Sequence, residues 1–507
     1  MTMLLRTPLE SILSKAWRGI APAHKAAFLF AMCISVLAFG FQMTNLPLNH
    51  DDLAHLMVQK PLVGYYLGRF AYAWIFFYGL GGQFAPFLHM TAGMLLMATY
   101  GVLVARFWGV RRTLDIALIA AIICVFPYMA QVYQYHSAVV AYPLAHLLVA
   151  LAVVLAARAR AMSIVLAALL FFLGFSIYQA VLANAVTIFL VWLLTRVILS
   201  KDLEANSIGT AVRAAGAALV AVTLGGILHV LAVSSLNIPF DSSQGVDQAF
   251  SLKSRLEHGL QLSHALSEVL RGSRSFLAWP ETYFPQPLKA LQALLLAGTA
   301  VGCLLLPRRT PARLTALALL GLVMFSPRVV QLLHPAGTYH ALTLTAYALV
   351  IAAAVMVVLQ LGGGLIRNAS AFVAALLIMG YVMQCNWIST VNYLNTQAHF
   401  TTMTQILTRL RALPDQNWDG RTVAVVGHYN MPSNFPFKPA TGVASEFMDS
   451  VHMTLLARLM RDEANFVEAD KTMPMVMEFA ATRKPWPSPQ SVGIVNGVGV
   501  VVLSKKE

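Results

Sequence analysis

Charge is what this sequence has least of. Only 11% of its 507 residues are Asp, Glu, Lys or Arg, against 58% hydrophobic, and the mean hydropathy is +0.69. Soluble domains carry roughly a quarter charged residues. So sparse a supply cannot cover a water-facing surface, which excludes a soluble enzyme and a disordered chain. Cysteine is scarce too. Cys33, Cys124, Cys303 and Cys385 all stand in apolar runs without ligand spacing, which excludes a disulfide scaffold and reads as small core residues. The histidines lack HExxH-type spacing, so no metal is supported and no cofactor is firmly implied. Acid is rarest of all. The first 400 residues hold eleven: Glu10, Asp51, Asp52, Asp115, Asp202, Glu204, Asp241, Asp247, Glu257, Glu268 and Glu281. None falls in the middle of an apolar run, which argues against an ion-coupled transporter with a titratable group at the midplane.

Apolar length is abundant. A span needs about 20 mostly apolar residues, and eleven stretches qualify: 26–45, 84–105, 114–130, 138–157, 161–176, 180–198, 211–233, 288–306, 314–331, 340–361 and 369–388. The predicted fold is therefore an α-helical polytopic membrane protein with about 11 transmembrane helices. The net charge of +14 would suggest nucleic acid in a soluble protein. Here the cations fall at alternate ends of the spans: Arg18 and Lys25, Arg106 and Arg112, Arg158 and Arg160, Arg196 and Arg213, Arg308 and Arg313, then Arg367. The positive-inside rule puts those ends in the cytoplasm, with the amino terminus inside and the carboxyl-terminal domain outside. Membrane lipids, and no nucleic acid, are the partners this pattern implies.

Two domains follow: a transmembrane domain over 1–388 with outer loops 46–83 and 234–287, and a soluble domain on the outer side over 389–507. The apolar stretch 70–82 is too short to span and reads as an interfacial or re-entrant helix. In the second loop Leu252, Leu256, Leu260, Leu266 and Leu270 fall near helical spacing, with Lys253, Arg255, Glu257 and Glu268 between them, the pattern of an amphipathic surface helix. The carboxyl-terminal domain returns to soluble composition. A helix is predicted over 389–413, a strand over Arg421–His428, loop over 430–440 and a strand region with a glycine break over Val492–Leu503, a small α/β unit.

Asp51 and Asp52 form the one adjacent acidic pair of the first 400 residues, in NLPLNHDDLAHL just past the first span. Neighbouring carboxylates repel, so each must be hydrated, paired or metal-bound. The plainer reading is that the pair caps a short helix. Lys60 and Arg69 share the loop, and Arg328 stands at an outer end against the positive-inside trend. Arginine there grips a lipid phosphate with paired donors, or simply snorkels to the interface. Outer turns also hold QVYQYHS (Gln131–Ser137, with Tyr135 and His136), SIYQA (Ser176–Ala180) and HPAGTYH (His334–His340). Such residues bind sugars and equally form an interfacial aromatic belt.

The order of one span, an outer NHDD with His50 before the acids, a short amphipathic helix, Gly68–Arg69–Phe70 and then SIYQA resembles the GtrII-type glucosyltransferases within the GT-C class, over about residues 25–390. That resemblance implies transfer of a sugar from a polyprenyl-phosphate donor to a lipid-linked glycan acceptor on the outer face of the membrane. It maps the reacting acid onto Asp51 or Asp52, the GR element onto Arg69 and the YQ element onto Tyr178 and Gln179. Phe70 replaces the tryptophan associated with the family. The residues fit this chemistry by themselves: a base must take the acceptor proton and cations must hold the departing phosphate. Both aspartates remain candidates for the base, with a slight lean to Asp51. Lys60, Arg69 and Arg328 are the candidate phosphate ligands, and His50, Tyr135, His136, Tyr178 and Gln179 the candidate sugar ligands. The expected function is an inverting transfer, of glucose first, to O-antigen or a related surface glycan. An O-antigen polymerase and a lipid-linked sugar flippase are the alternatives.

Overall fold

The computed structural model describes residues 11, 14, 18–58, 65, 67–199, 205–238, 262–278, 281–306, 310–333, 339–413, 421–430, 447–470 and 472–504. Among them eight helices are long and apolar enough to cross a membrane, or nine if one bent pair is a single span. This is a multi-pass membrane protein. Helices stand at all eleven expected positions, but three of them fall short of a straight span. The expected span 114–130 runs as Thr113–Val125 and then bends by 54° into Tyr128–Gln134. The bend falls at Pro127, which lacks a backbone donor and keeps Phe126 extended. Ala141–Ala156 and Ala161–Ile177 have 16 and 17 residues. At 1.5 Å per residue they reach about 24–26 Å, under the roughly 30 Å of a hydrocarbon core. The shortening places non-helical backbone at Tyr135–Val140, with His136–Val139 buried.

Two helices form the centre. Every residue from Asp115 to Val125 is buried, as is every residue from Tyr347 to Leu359. Helix Thr113–Val125 can be apolar all round because Pro22–Thr44, Pro86–Phe107, Tyr347–Leu361 and Gly364–Arg411 surround it. Lipid tails are as apolar as leucine, so close packing holds such helices together. At Gly101 an added Cβ would lie 2.9 Å from Ala120 Cα. On the periphery Leu219, Leu231, Leu314 and Leu322 are exposed, facing the lipid as solvent. Cys124, Cys303 and Cys385 are buried as expected, but Cys33 is on the exposed side of its helix.

The stretch expected to lie at the interface is a short helix, Phe70–Trp74, continued by a π turn, Ile75–Gly79. The second outer loop contains helix Leu262–Ala278. It buries Ala265, Val269, Ser273 and Phe276 and exposes Leu266 and Leu270. Leu252, Leu256 and Leu260 lie outside the described residues.

The helix expected over 389–413 continues the preceding span without interruption, as one 48-residue helix, Gly364–Arg411. It leads to a four-stranded sheet. Strand Thr422–Val426 pairs in parallel with Asn465–Glu468 and Val498–Val502. Val492–Val495 pairs antiparallel with Val498–Val502. The expected glycine break is thus a hairpin turn, with Asn496 and Gly497 at φ +50° and +74°, the positive values a two-residue hairpin needs. Strand Asn465–Glu468 and helices Ser450–Leu459 and Pro474–Thr482 were not foreseen. Most of the predicted loop 430–440 lies outside the described residues. Val423, Val425 and Val501 pack on one face of the sheet, and Ala424, Val500 and Val502 on the other. The first face also buries Leu53, with Met403, Ile406 and Met453. The carboxyl-terminal unit therefore holds the short helix that carries the acid pair.

Candidate active site

Helix His50–Val58 bears both aspartates in its first turn, where carboxylates meet the positive end of the helix dipole. Its cap is not an aspartate. Asn49 Oδ1 accepts the Asp52 N–H at 2.8 Å, and Asn49 Nδ2 donates to the Gln134 carbonyl at 2.9 Å. The expectation that the acid pair merely caps the helix is overturned, since Asn49 satisfies that donor. The pair is also asymmetric. Asp52 is fully buried, and its carboxylate accepts the N–H groups of His136 and Ser137 at 3.2 and 3.3 Å. Burial pushes its pKa well above the usual carboxylate range, those N–H groups oppose the rise, and the charge of Asp51 adds to it. Asp51 is half-buried. Removing the cap should loosen both acids: Asn49→Ala is expected to cost about 1–2 kcal/mol in unfolding free energy, and Asn49→Ser to recover part of it. Thermal unfolding in detergent, read beside the transfer rate, checks this.

His55 fixes the next turn. Its Nδ1 lies 2.6 Å from the Asp51 carbonyl, which only accepts, so Nδ1 carries the proton. Burial holds this imidazole below its usual pKa, hence neutral. The Tyr72 hydroxyl is 3.3 Å from His55 Nε2 and donates to Ser137 Oγ at 2.8 Å.

Arg69 is built in from two sides. Its Nε donates to Gln179 Oε1 at 3.3 Å and its Nη1 to the Tyr142 hydroxyl at 3.0 Å. The guanidinium lies 5.0 Å from the centre of the Tyr178 ring, which stacks on Tyr142 at 4.2 Å. Gln179 is tied in turn to the Leu67 carbonyl at 3.1 Å. No described carboxylate lies within 4 Å of Arg69, so it is a cation without an ion pair among the described residues. Tyr135 stands between charges: burial, then Asp51, raise its phenol above the ordinary value, while Arg69 lowers it.

Arg328 belongs to a neighbouring cluster. Its Nε donates to the Tyr347 hydroxyl at 3.0 Å, and that hydroxyl reaches Ser273 Oγ at 3.4 Å. Gly272 on the loop helix lies so close that a Cβ there would meet the guanidinium at 2.2 Å, so the helix covers Arg328 only because residue 272 is glycine. An aromatic wall extends from this cluster. Phe276 stacks on Tyr347 at 3.7 Å, and Tyr128 meets Phe276 and Tyr283 at 6.1 and 5.1 Å. Tyr128 donates to Glu281 at 2.7 Å, and Lys289 pairs with Glu281 at 3.7 Å.

The structure thus gathers Asp51, Asp52, Arg69, Tyr135, His136, Tyr178 and Gln179 at one end of the bundle and sets Arg328 beside them. The side chain of His50 and all of Lys60 lie outside the described residues. His136 serves through its backbone N–H, and its ring, with its pKa lowered to about 4 by burial, is packed away. Sequence reasoning missed Asn49, Tyr72, Ser137 and Tyr142. Asn49 was legible as an N-cap residue before an acidic first turn; Tyr142 carried no signal, because it sits inside an apolar run. Among the described residues no group of three or more His, Cys, Asp or Glu side chains is placed to hold a metal ion.

A membrane-spanning helical bundle with acids, stacked phenols and an arginine that has no ion pair among the described residues at one end has the parts of a group-transfer enzyme. The chain belongs to the glucosyl transferase GtrII family, whose model matches residues 40–358. It is therefore a glycosyltransferase, and the family's sugar is glucose. The match takes in every candidate site residue from His50 to Arg328 and stops before helix Gly364–Arg411. No curated protein matches the chain.

Proposed function

We propose that this enzyme moves glucose, with inversion, from a polyprenyl-phosphate donor to a lipid-linked O-antigen or a related surface glycan at the periplasmic face of a bacterial inner membrane. The observation that supports the reading best is the asymmetry of the acid pair beside an arginine with no carboxylate partner among the described residues. Asp52 is locked and held towards its neutral form, whereas half-buried Asp51 remains the base. The acceptor hydroxyl oxygen attacks the anomeric carbon as its proton passes to Asp51. The bond from that carbon to the phosphate oxygen breaks, and the polyprenyl phosphate leaves with its charge held by Arg69. Arg328 and the aromatic wall offer a second seat for the phosphate or the sugar. Tyr178 and Gln179 act here by holding Arg69, and Tyr135 borders the sugar.

Proteoliposomes given polyprenyl-phosphate-[14C]glucose and a lipid-linked glycan test the reading. Label is expected in the glycan, in equal amount to the polyprenyl phosphate released. Movement of the donor across the bilayer without a new glycosidic bond would favour a flippase. Longer glycan chains without added glucose would favour a polymerase.

A further inference from the structure

The opposite end of the bundle holds a second set of features. Helix Thr113–Val125 begins there and, after its bend, ends at the acid site, while Ala141–Ala156 begins at the acid site and ends there. Two clefts open at this far end, of about 670 and 620 Å³. The first is lined by Arg111, Arg112 and Arg196, and the second by Arg106, Arg158 and Arg196. Phe107 and Trp192 line both and form the divider between them, stacked at 5.6 Å and 9°.

These arginines are more than a solvated loop. Gly109, at φ +83°, turns the chain sharply so that Arg111 and Arg112 come back beside Trp108, and such a φ favours glycine. Trp108 is buried and donates from Nε1 to the Ile188 carbonyl at 3.0 Å, which fixes the floor. The Arg196 guanidinium lies 5.1 Å from the centre of the Trp192 ring. The acid that lines the first cleft, Asp115, is already paired with Arg367 at 2.6 Å. No described carboxylate lies within 4 Å of Arg106, Arg111, Arg112, Arg158 or Arg196. The second cleft has an apolar wall, with Leu103, Leu151, Val154, Leu155 and Leu170 below its arginines. Arginines over a tryptophan, with leucines running towards the bilayer core, match a phosphate headgroup with its acyl chains.

We propose that this pair of clefts binds an anionic phospholipid carrying two phosphates, of the cardiolipin type, one phosphate on each side of the Phe107–Trp192 stack and Arg196 shared between them. Its acyl chains lie along Leu103, Leu151, Leu155 and Leu170. The site is separate from the acid pair and holds its lipid whether or not sugar is transferred.

The test uses the full chain, delipidated in a neutral detergent and titrated separately with cardiolipin, phosphatidylglycerol, phosphatidylethanolamine and inorganic phosphate. Binding is read by native mass spectrometry and by thermal unfolding. One cardiolipin is expected to bind at least tenfold more tightly than phosphatidylethanolamine, and more tightly than phosphatidylglycerol. Arg158→Gln with Arg196→Gln is expected to weaken it at least tenfold, and the double lysine variant to retain more of it. All of these arginines are exposed; should the double glutamine variant misfold, Arg106→Gln with Arg158→Gln makes the same test. Equal cardiolipin affinity in the glutamine variants would overturn the site. Equal binding of phosphatidylglycerol would overturn the two-phosphate assignment. Equal stabilisation by inorganic phosphate alone would overturn a lipid occupant.

Discussion

Asp51→Asn is expected to lower the turnover of glucosyl transfer by roughly a hundred- to ten-thousand-fold, the usual contribution of a positioned general base. Donor KM should move little, because the phosphate is gripped elsewhere. Asp52→Asn is expected to behave differently. Asp52 is fully buried, and burial favours its uncharged form, so an amide of the same shape replaces it without opposing that preference. One amide oxygen still accepts from His136 or Ser137, and the other N–H loses its partner, at a cost of about 1 kcal/mol. The Asp52 variant should therefore retain transfer within about tenfold of wild type while unfolding at lower temperature. Both are measured at matched expression, as initial rates over a donor titration with the thermal midpoint recorded beside them. Near-normal turnover in Asp51→Asn together with collapse in Asp52→Asn would reverse the assignment. Full activity in both would remove the acid pair from the chemistry.

The two acids were legible as a pair but not as unequal. Nothing in HDD shows which carboxylate turns inward; that depends on Asn49 setting the helix phase and on backbone N–H groups that arrive from residues 136 and 137. Backbone donors leave no trace in side-chain identity. Arg69 was legible by its family motif, whereas its Tyr142 partner was hidden in an apolar run. The spans were legible by hydropathy, because lipid demands long apolar helices. Their lengths were less so: hydropathy gives no warning that the turn after Pro127 lies buried in protein, where neighbouring helices satisfy irregular backbone. The role of Leu53 was invisible too. It reads as one side of an amphipathic helix, yet it is buried by Met403, Ile406 and Met453, from the part of the chain least like any membrane segment. Contacts across some 350 to 400 residues do not show in local pattern, so the support that the carboxyl-terminal unit gives to the acid helix became apparent only in three dimensions.

Arg69→Lys keeps the charge and is nevertheless expected to lower kcat/KM by roughly a hundred- to a thousand-fold, the scale seen when one preorganised charge-stabilising donor is lost. The guanidinium uses Nε for Gln179 and Nη1 for Tyr142 and lies over the Tyr178 ring. Of its five N–H donors these bonds take two, which leaves three with which a guanidinium can grip a phosphate. A lysine ammonium is a single point on a flexible stem. It can satisfy Tyr142 or a phosphate, but it cannot reproduce two fixed anchors and a bidentate grip together. Gln179→Ala removes one anchor while the arginine remains, and should cost about tenfold, the effect of a lost hydrogen bond to a charged group. The comparison with Arg328→Gln assigns the phosphate. With polyprenyl-phosphate glucose as donor, a large loss in Arg69→Lys beside a small one in Arg328→Gln places the leaving group at the Tyr142–Tyr178 stack. The reverse places it under Gly272, where the loop helix covers Arg328, and makes Arg69 a ligand of the sugar. An Arg69→Lys enzyme within threefold of wild type would show that charge alone is enough, and the anchored fork would then have no part in transfer.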